Sequence, residues 1–328
     1  MPTTQVSDSL HIGYATDFPP ELSTDPSYGQ ELDHCWPKFF DIGDIGITAF
    51  LSDDPWMRQF QIMVIHKAPN SSAMRVVATG HSVPFHWPKP QENNSLPDGG
   101  WNAVRSVAMK QHYFRNNMTE KLEAFKDCPL PDIPYIGEPA WDIKYDDYEA
   151  PNVLCAIAVC ILPEFRALGL SERIIGLMRD KCIAEGYQAF IVPVRPTRKA
   201  EFKKMPMSTY LQMSRNHESK VSQDGNSLTS KDTFDPWIRK HMSLGGTPVK
   251  IANNSMIFRA SAKAWDESAE KLGMCQKAWK EGKVQKNEYN NEEYVNVYDV
   301  PGTLGPVRYY LKRDEGVYCE SNVWIRHI

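Results

Sequence analysis

Six residues, Arg166-Ala167-Leu168-Gly169-Leu170-Ser171, stand where an apolar run ends and an amphipathic pattern begins. The run before them, Val153 to Leu162, holds ten apolar residues and is followed by Pro163-Glu164-Phe165. After them, apolar residues at 170, 174, 175, 177, 178, 182 and 183 share one helical face, and Gly186 suits a left-handed cap. A second apolar run, Ala189 to Val194, ends in Arg195-Pro196-Thr197-Arg198-Lys199. This order of strand, loop, helix and strand puts the six residues at a helix N-terminus. The first backbone N–H groups there lack helical partners, and the helix dipole adds positive potential. A glycine at 169 lets a phosphate approach the backbone closely. The chemistry this predicts is anion binding. Arg195 and Arg198 either pair with a phosphate or a substrate carboxylate, or form salt bridges to nearby acids.

The flanking elements must hold that loop. Phe60 to His66 reads as a strand, with Arg75 to Phe85 as its antiparallel partner, and Leu10 to Tyr14 as a short strand before them. Glu31 to Phe40 reads as a helix, and Ile45 to Leu51 as a strand or short helix. Pro88 to Gly100 is a loop. Trp101 to Met118 reads as a helix, and Pro129 to Pro139, with its prolines, cannot be one. The spacing predicts a helix over Met207 to Arg215, then a polar loop over His217 to Thr233. Asp235-Pro236-Trp237 starts another helix, with Asp as N-cap and Pro at the first position. Pro248 to Ile251 and Ser255 to Ala260 read as a strand pair, and Lys263 to Gly282 as a polar helical stretch. The density of Val, Tyr and Trp from Tyr294 to Ile328 predicts a buried β-extension.

The chain has 328 residues, 41% of them apolar, which supports a sizeable core. A net charge of −4 gives no general affinity for polyanions, so no nucleic-acid partner is expected. Seven cysteines are scattered without Cys-x-x-Cys or Cys/His clusters, which favours a reduced compartment and no metal. No secretory signal and no span of ~20 apolar residues is visible, so a cytoplasmic protein without a membrane partner is expected. Gly-x-Gly-x-x-Gly and Gly-x-x-x-x-Gly-Lys-Ser/Thr are both absent.

Arg166-Ala167-Leu168-Gly169-Leu170-Ser171 resembles the Arg/Gln-x-x-Gly-x-Gly/Ala signature of the GNAT superfamily of acyl-CoA-dependent acyltransferases. Cys160-Ile161-Leu162-Pro163-Glu164-Phe165 is similar to that family's strand followed by Pro-Glu-aromatic. Arg75 to His81, Pro193 to Thr197, Asp235 to Arg239 and Gly316 to His327 resemble a branch of long GNAT-like proteins. Ser171 departs from the usual Gly or Ala, but it is small and keeps its N–H. The resemblance implies an α/β GNAT fold, with a central mixed twisted sheet and helices on both faces. A GNAT-like domain would fill 1–262, with 88–150 as an insertion that covers the acceptor. A C-terminal extension, 263–328, would pack on it.

By the same resemblance, acetyl-CoA or CoA would bind at Cys160, Ile161, Leu162, Arg166, Ala167, Leu168, Gly169, Leu170 and Ser171, with Arg195 nearby. The strand would lie along the pantetheine and the loop amides would hold the pyrophosphate. Cys160 reads as a buried filler rather than a nucleophile. His241, in His241-Met242-Ser243-Leu244-Gly245-Gly246, falls where a tyrosine donor to the leaving sulfur is common. Tyr210 is the competing donor and His81 the candidate base, with Glu138 and Asp142 behind it. Glu164 belongs to the loop and is expected to face solvent. The activity implied is transfer of an acetyl or other short acyl group to an amine, of a small molecule first, with a homodimer left open. Other acyl chemistry, hydrolysis or decarboxylation, and a non-catalytic CoA-sensing module are the rivals.

Overall fold

The structure, a computed structural model, describes residues 4–7, 9–42, 47–52, 54–68, 73–126, 149–215, 217–221, 232–287 and 291–328. Glu138, Asp142, the Pro129 to Pro139 stretch and most of the polar loop after His217 lie outside the described residues.

Strands β1 (Thr4–Ser7), β2 (Leu10–Tyr14), β3 (Ile62–Lys67) and β4 (Met74–Phe85) form an antiparallel meander that leads to β5 (Val153–Ile161) and β6 (Ala189–Val194). β7 (Met213–Ser214) and β8 (His217–Val221) make a separate pair. Then come β9 (Thr247–Ser261), β10 (Gln285–Lys286), β11 (Glu293–Val297), β12 (Val307–Tyr310) and β13 (Glu315–Arg326). The main sheet runs β1-β2-β3-β4-β5-β6-β13-β12-β11-β10, with β9 paired onto β13. β5 and β6 pair in parallel, while β13 runs antiparallel to β6. Both central strands are apolar runs because both of their faces are covered.

Helices of seven residues or more are α1 (Gly100–Arg115), α2 (Thr119–Lys126), α3 (Leu170–Ala184), α4 (Pro236–Ser243), α5 (Ala262–Ser268) and α6 (Met274–Glu281). None among the described residues is long and apolar enough to cross a membrane. One face of the sheet carries α3 and α4, whose Ile174, Ile175, Met178 and Ile238 share a core with Leu154, Ala156, Val192 and Val194. The other carries α1 and the β9–α5 unit, where Val104, Met256, Phe258 and Trp265 pack with Cys155, Ile157 and Ile191. Alternation along β5 and β6 thus divides the two cores.

Two irregularities open the sheet at its centre. Opposite β4, Ala158 faces His81 and Ala156 faces Ser82, so Ile157 is an extra residue, a β-bulge. Its carbonyl accepts from the Trp101 indole N–H of α1 at 2.9 Å. The β5–β6 ladder covers only Val153 to Cys155 against Ala189 to Ile191. Beyond it β6 pairs with β13, Val194 facing Val323, and β5 and β6 diverge.

Several elements differ from expectation. Pro37 breaks the segment read as one helix, leaving Gln30–Asp33 and the 3-10 turn Lys38–Ile42. Of the two readings of Ile45 to Leu51, the short helix is the one found, over Ile47–Ser52. The helix read over Met207 to Arg215 ends at Tyr210, and Met213–Ser214 pairs instead with β8. The Lys263 to Gly282 stretch is two helices, because Gly273 is left-handed (φ 72°) and Asp266 accepts from the Gly273 and Cys275 amides between them. The two strands read at 248–260 are one strand, β9. Asn253, Asn254 and Ser255 stand opposite Ser321 alone, so a polar turn signal marks a bulge.

α3 lies so close on β4 that a Cβ at Gly80 would sit 2.2 Å from Ile174 Cγ2 and 2.8 Å from Met178 Cε. Gly80→Ala is expected to destabilise the fold by about 1–3 kcal/mol through overpacking. Denaturant unfolding checks this; an unchanged midpoint would contradict the close approach.

Candidate functional site

The divergence of β5 from β6 opens a cavity of about 750 Å³. Residues 156–161 of β5 and 192–195 form its walls, and the loop after β5 forms one end. Pro163–Phe165 make a single 3-10 turn. Ala167 (φ 65°) and Gly169 (φ 72°) are both left-handed, so the chain curls before α3 begins. No side chain caps the first turn of α3. Its leading N–H groups therefore face the cavity end without an internal acceptor, in a concavity that suits an anion.

Side chains fix this loop from behind. Arg166 Nε donates to the Ile161 carbonyl at 3.1 Å. Arg75 of β4 pairs with Glu164 at 2.7 Å and with Glu31 of the N-terminal arm. Glu164 is thus tied sideways, with its own amide and Arg75 holding its carboxyl below the usual range. Lys240 of α4 lines the cavity and pairs with Glu172, which also accepts from the Ser171 hydroxyl at 3.0 Å. Sequence reasoning missed Lys240, since only the packing of α4 beside α3 brings it here.

The cavity gathers Cys160, Ile161, Arg166, Ala167, Gly169, Leu170, Ser171, Arg195 and His241 from the expected set. Leu162 and Leu168 do not line it: the Leu162 N–H donates to Val77, and Leu168 is 51% exposed. Burial raises the Cys160 thiol, which suits a filler. Tyr210 is held elsewhere, its hydroxyl donating to Asp235 at 2.7 Å while Asp235 caps α4. His81 bonds to Gln61 at 3.1 Å, does not line the cavity, and is lowered to about 4 by burial. Arg198 pairs with Glu201 rather than facing the cavity.

His241 is 1% exposed. Its Nδ1 lies 2.9 Å from Nε2 of His327, a partner that one sequence gave no means of finding. Its own Nε2 is buried and has no partner among the described residues. Burial and the His327 charge push His241 down to about 3, and burial pushes His327 down to about 4. Both rings are therefore neutral near pH 7, and one proton lies between the facing nitrogens. When His327 supplies it, His241 Nε2 is left as a hydrogen-bond donor.

No family model matches the chain. A curated relative, the arginine N-acetyltransferase avaD of Aspergillus versicolor, is 25% identical over 316 residues, 96% of this chain and 89% of its own length. These findings support a GNAT superfamily member. Its mixed sheet, with parted central strands and an uncapped helix start after β5, is of GNAT type. Among solved structures, the loading GNAT-like domain of CurA from Lyngbya majuscula is 14% identical with a TM-score of 0.46, covering 76% of this chain and 89% of that one. The GphF GNAT-like decarboxylase, solved with isobutyryl-CoA, is 10% identical with a TM-score of 0.42, covering 75% and 90%. Likenesses at these scores carry no argument about activity.

The buried histidine pair sets a pH signature for this chain. The folded values, about 3 and about 4, lie below the ordinary 6.5. Stability should be full above pH 6.5 and decline as pH falls toward about 4, because the unfolded chain takes up protons first. Replacing His327 by Gln should flatten the decline between pH 6.5 and 5, by on the order of 1 kcal/mol per pH unit. Denaturation midpoints across that window check it; an identical slope in the variant would contradict a neutral buried pair.

Proposed function

We propose that this chain is an acyl-CoA-dependent N-acyltransferase that moves an acetyl or other short acyl group to the amine of a small molecule. The observation that carries the reading is the parting of β5 and β6 into a slot that ends at the uncapped N-terminus of α3. The pyrophosphate would take the amides of Ala167 to Ser171, with Lys240 as a nearby cation. The pantetheine would lie along Ala156 to Cys160, where β5 has lost its β6 partner. The relative avaD, by name an arginine N-acetyltransferase, supports an amine acceptor.

The chemistry asks mainly for proximity and for charge stabilisation at the sulfur. The amine nitrogen attacks the thioester carbonyl carbon, the C–N bond forms, and the C–S bond breaks with its electron pair going to sulfur. The proton lost by the amine balances the one the thiolate gains. In this reading His241, when its Nε2 carries the proton, would be the donor that stabilises the departing thiolate. Neither Tyr210 nor His81 takes part in this reading.

Calorimetric titration with CoA and acetyl-CoA should show micromolar binding. Gly169→Glu should abolish it, since the residue is left-handed and a carboxylate there would face Glu172 as well as the phosphate. Unchanged affinity in a folded Gly169→Glu protein would overturn the site. Lys240→Ala should weaken CoA binding several-fold, about 1 kcal/mol or more for a lost charge-assisted contact. Thiol release from acetyl-CoA should depend on added amine; release without one would mean hydrolysis, and binding without turnover a CoA-sensing module.

A further inference from the structure

The cavity crosses the sheet, and its two sides differ chemically. Val192 and Val194 of β6 face α3 and α4, the side that holds His241 and Lys240. Arg195 follows Val194, and strand alternation sends it to the opposite side. Its partners agree. Arg195 Nε lies 2.9 and 3.0 Å from the two carboxylate oxygens of Glu320 on β13. Arg195 Nη2 donates to the Gly302 carbonyl at 2.5 Å, beneath Pro37 of the N-terminal arm. Arg195 therefore shares the cavity with the loop but stands across the sheet from it, next to Met256 and Ile157.

Glu320 is 1% exposed and fully engaged. It accepts from the Tyr318 hydroxyl at 2.6 Å and from Asn322 Nδ2 at 2.9 Å, besides Arg195. Asn322 in turn accepts from Ser255 on β9 at 2.6 Å. This network spends one edge of the guanidinium, Nε and Nη2, and locks its plane. The Tyr318 hydroxyl is a further hydrogen-bond partner of the guanidinium, and the side chain, 24% exposed, lines the cavity. A guanidinium held in a fixed plane at a cavity wall is suited to a carboxylate. It is also pre-organised, so little side-chain entropy is lost on binding.

We propose that Arg195 binds the carboxylate of the acceptor, so that the acceptor is an amino acid rather than a simple amine or a polyamine. The inference rests on the transferase reading above. It places acyl-CoA and acceptor on opposite sides of the sheet, meeting where β5 and β6 part. Arg195 would then be a substrate-binding group and Glu320 the residue that positions it.

The test compares amines that differ only by the carboxylate: arginine with agmatine, lysine with cadaverine, and tryptophan with tryptamine. With acetyl-CoA and the full chain, the accepted amino acid should exceed its decarboxylated partner by roughly ten-fold or more in kcat/KM. Arg195→Lys keeps the charge beside Glu320 and loses the fork. It should lower kcat/KM for the amino acid roughly ten-fold, mainly through KM, and lower that for the decarboxylated amine several-fold less. Equal rates for both members of every pair would overturn the proposal, as would an equal loss for both in Arg195→Lys. If no amine is acylated, calorimetry of the same amines on the CoA-bound protein decides: binding of the carboxylate member alone supports it, and binding of neither or of both overturns it. Titration of CoA on the same sample reports separately on the transferase reading.

Discussion

Hydrogen bonding between β5 and β6 stops after Cys155, in the middle of the main sheet, and most of the molecule can be understood from that interruption. Unpaired strand edges inside a fold are costly, because each backbone group gives up water and needs another partner. Here the deficit is handled unevenly. β13 pairs with the other edge of β6, along Ile191 to Val194, and the edge toward β5 stays open. The bulge carbonyl at Ile157 is met by Trp101 from α1. What faces the slot from β5 lacks a β6 partner, and in the proposed reading the pantetheine amides of CoA would supply one.

The second constraint is electrostatic. An uncapped helix start, two left-handed residues before it and Lys240 make one end of the slot favourable to anions. Glu172 pairs with Lys240 there. Across the sheet the charge is arranged differently. Arg195 is neutralised by a buried carboxylate on one edge only, within a network that reaches Ser255 and Asn322. Burying such a pair contributes little net stability, and its worth lies in fixing geometry. The neutral His241–His327 pair lies on the same side of the sheet as Lys240, with His241 at the cavity wall.

The parts of this arrangement that were legible in the sequence are those set by local periodicity. The run Val153 to Leu162, the helix from Leu170 to its left-handed stop at Gly186, and the Asp235-Pro236 start of α4 all carry their own signals, and each stands where it was expected. Long-range partners were not legible. Nothing in Asn253-Asn254-Ser255 says that it is a bulge against β13 rather than a turn. His241 was singled out by position, but its link to His327 spans 86 residues of sequence. Tyr210 was a reasonable donor by residue type, and only the fold shows its hydroxyl committed to Asp235. Arg195 was visible as a cation after a strand, whereas the face it projects from depends on β6 lying between β5 and β13.

The most direct test of the central claim is a crystal structure of the protein with CoA bound. The account predicts pyrophosphate oxygens within hydrogen-bonding distance of the amides between Ala167 and Ser171. It also predicts pantetheine amides paired with the β5 backbone between Ala156 and Cys160, and the sulfur near His241 Nε2. CoA bound outside the slot, or β5 and β6 zipped together past Cys155 in its presence, would contradict it.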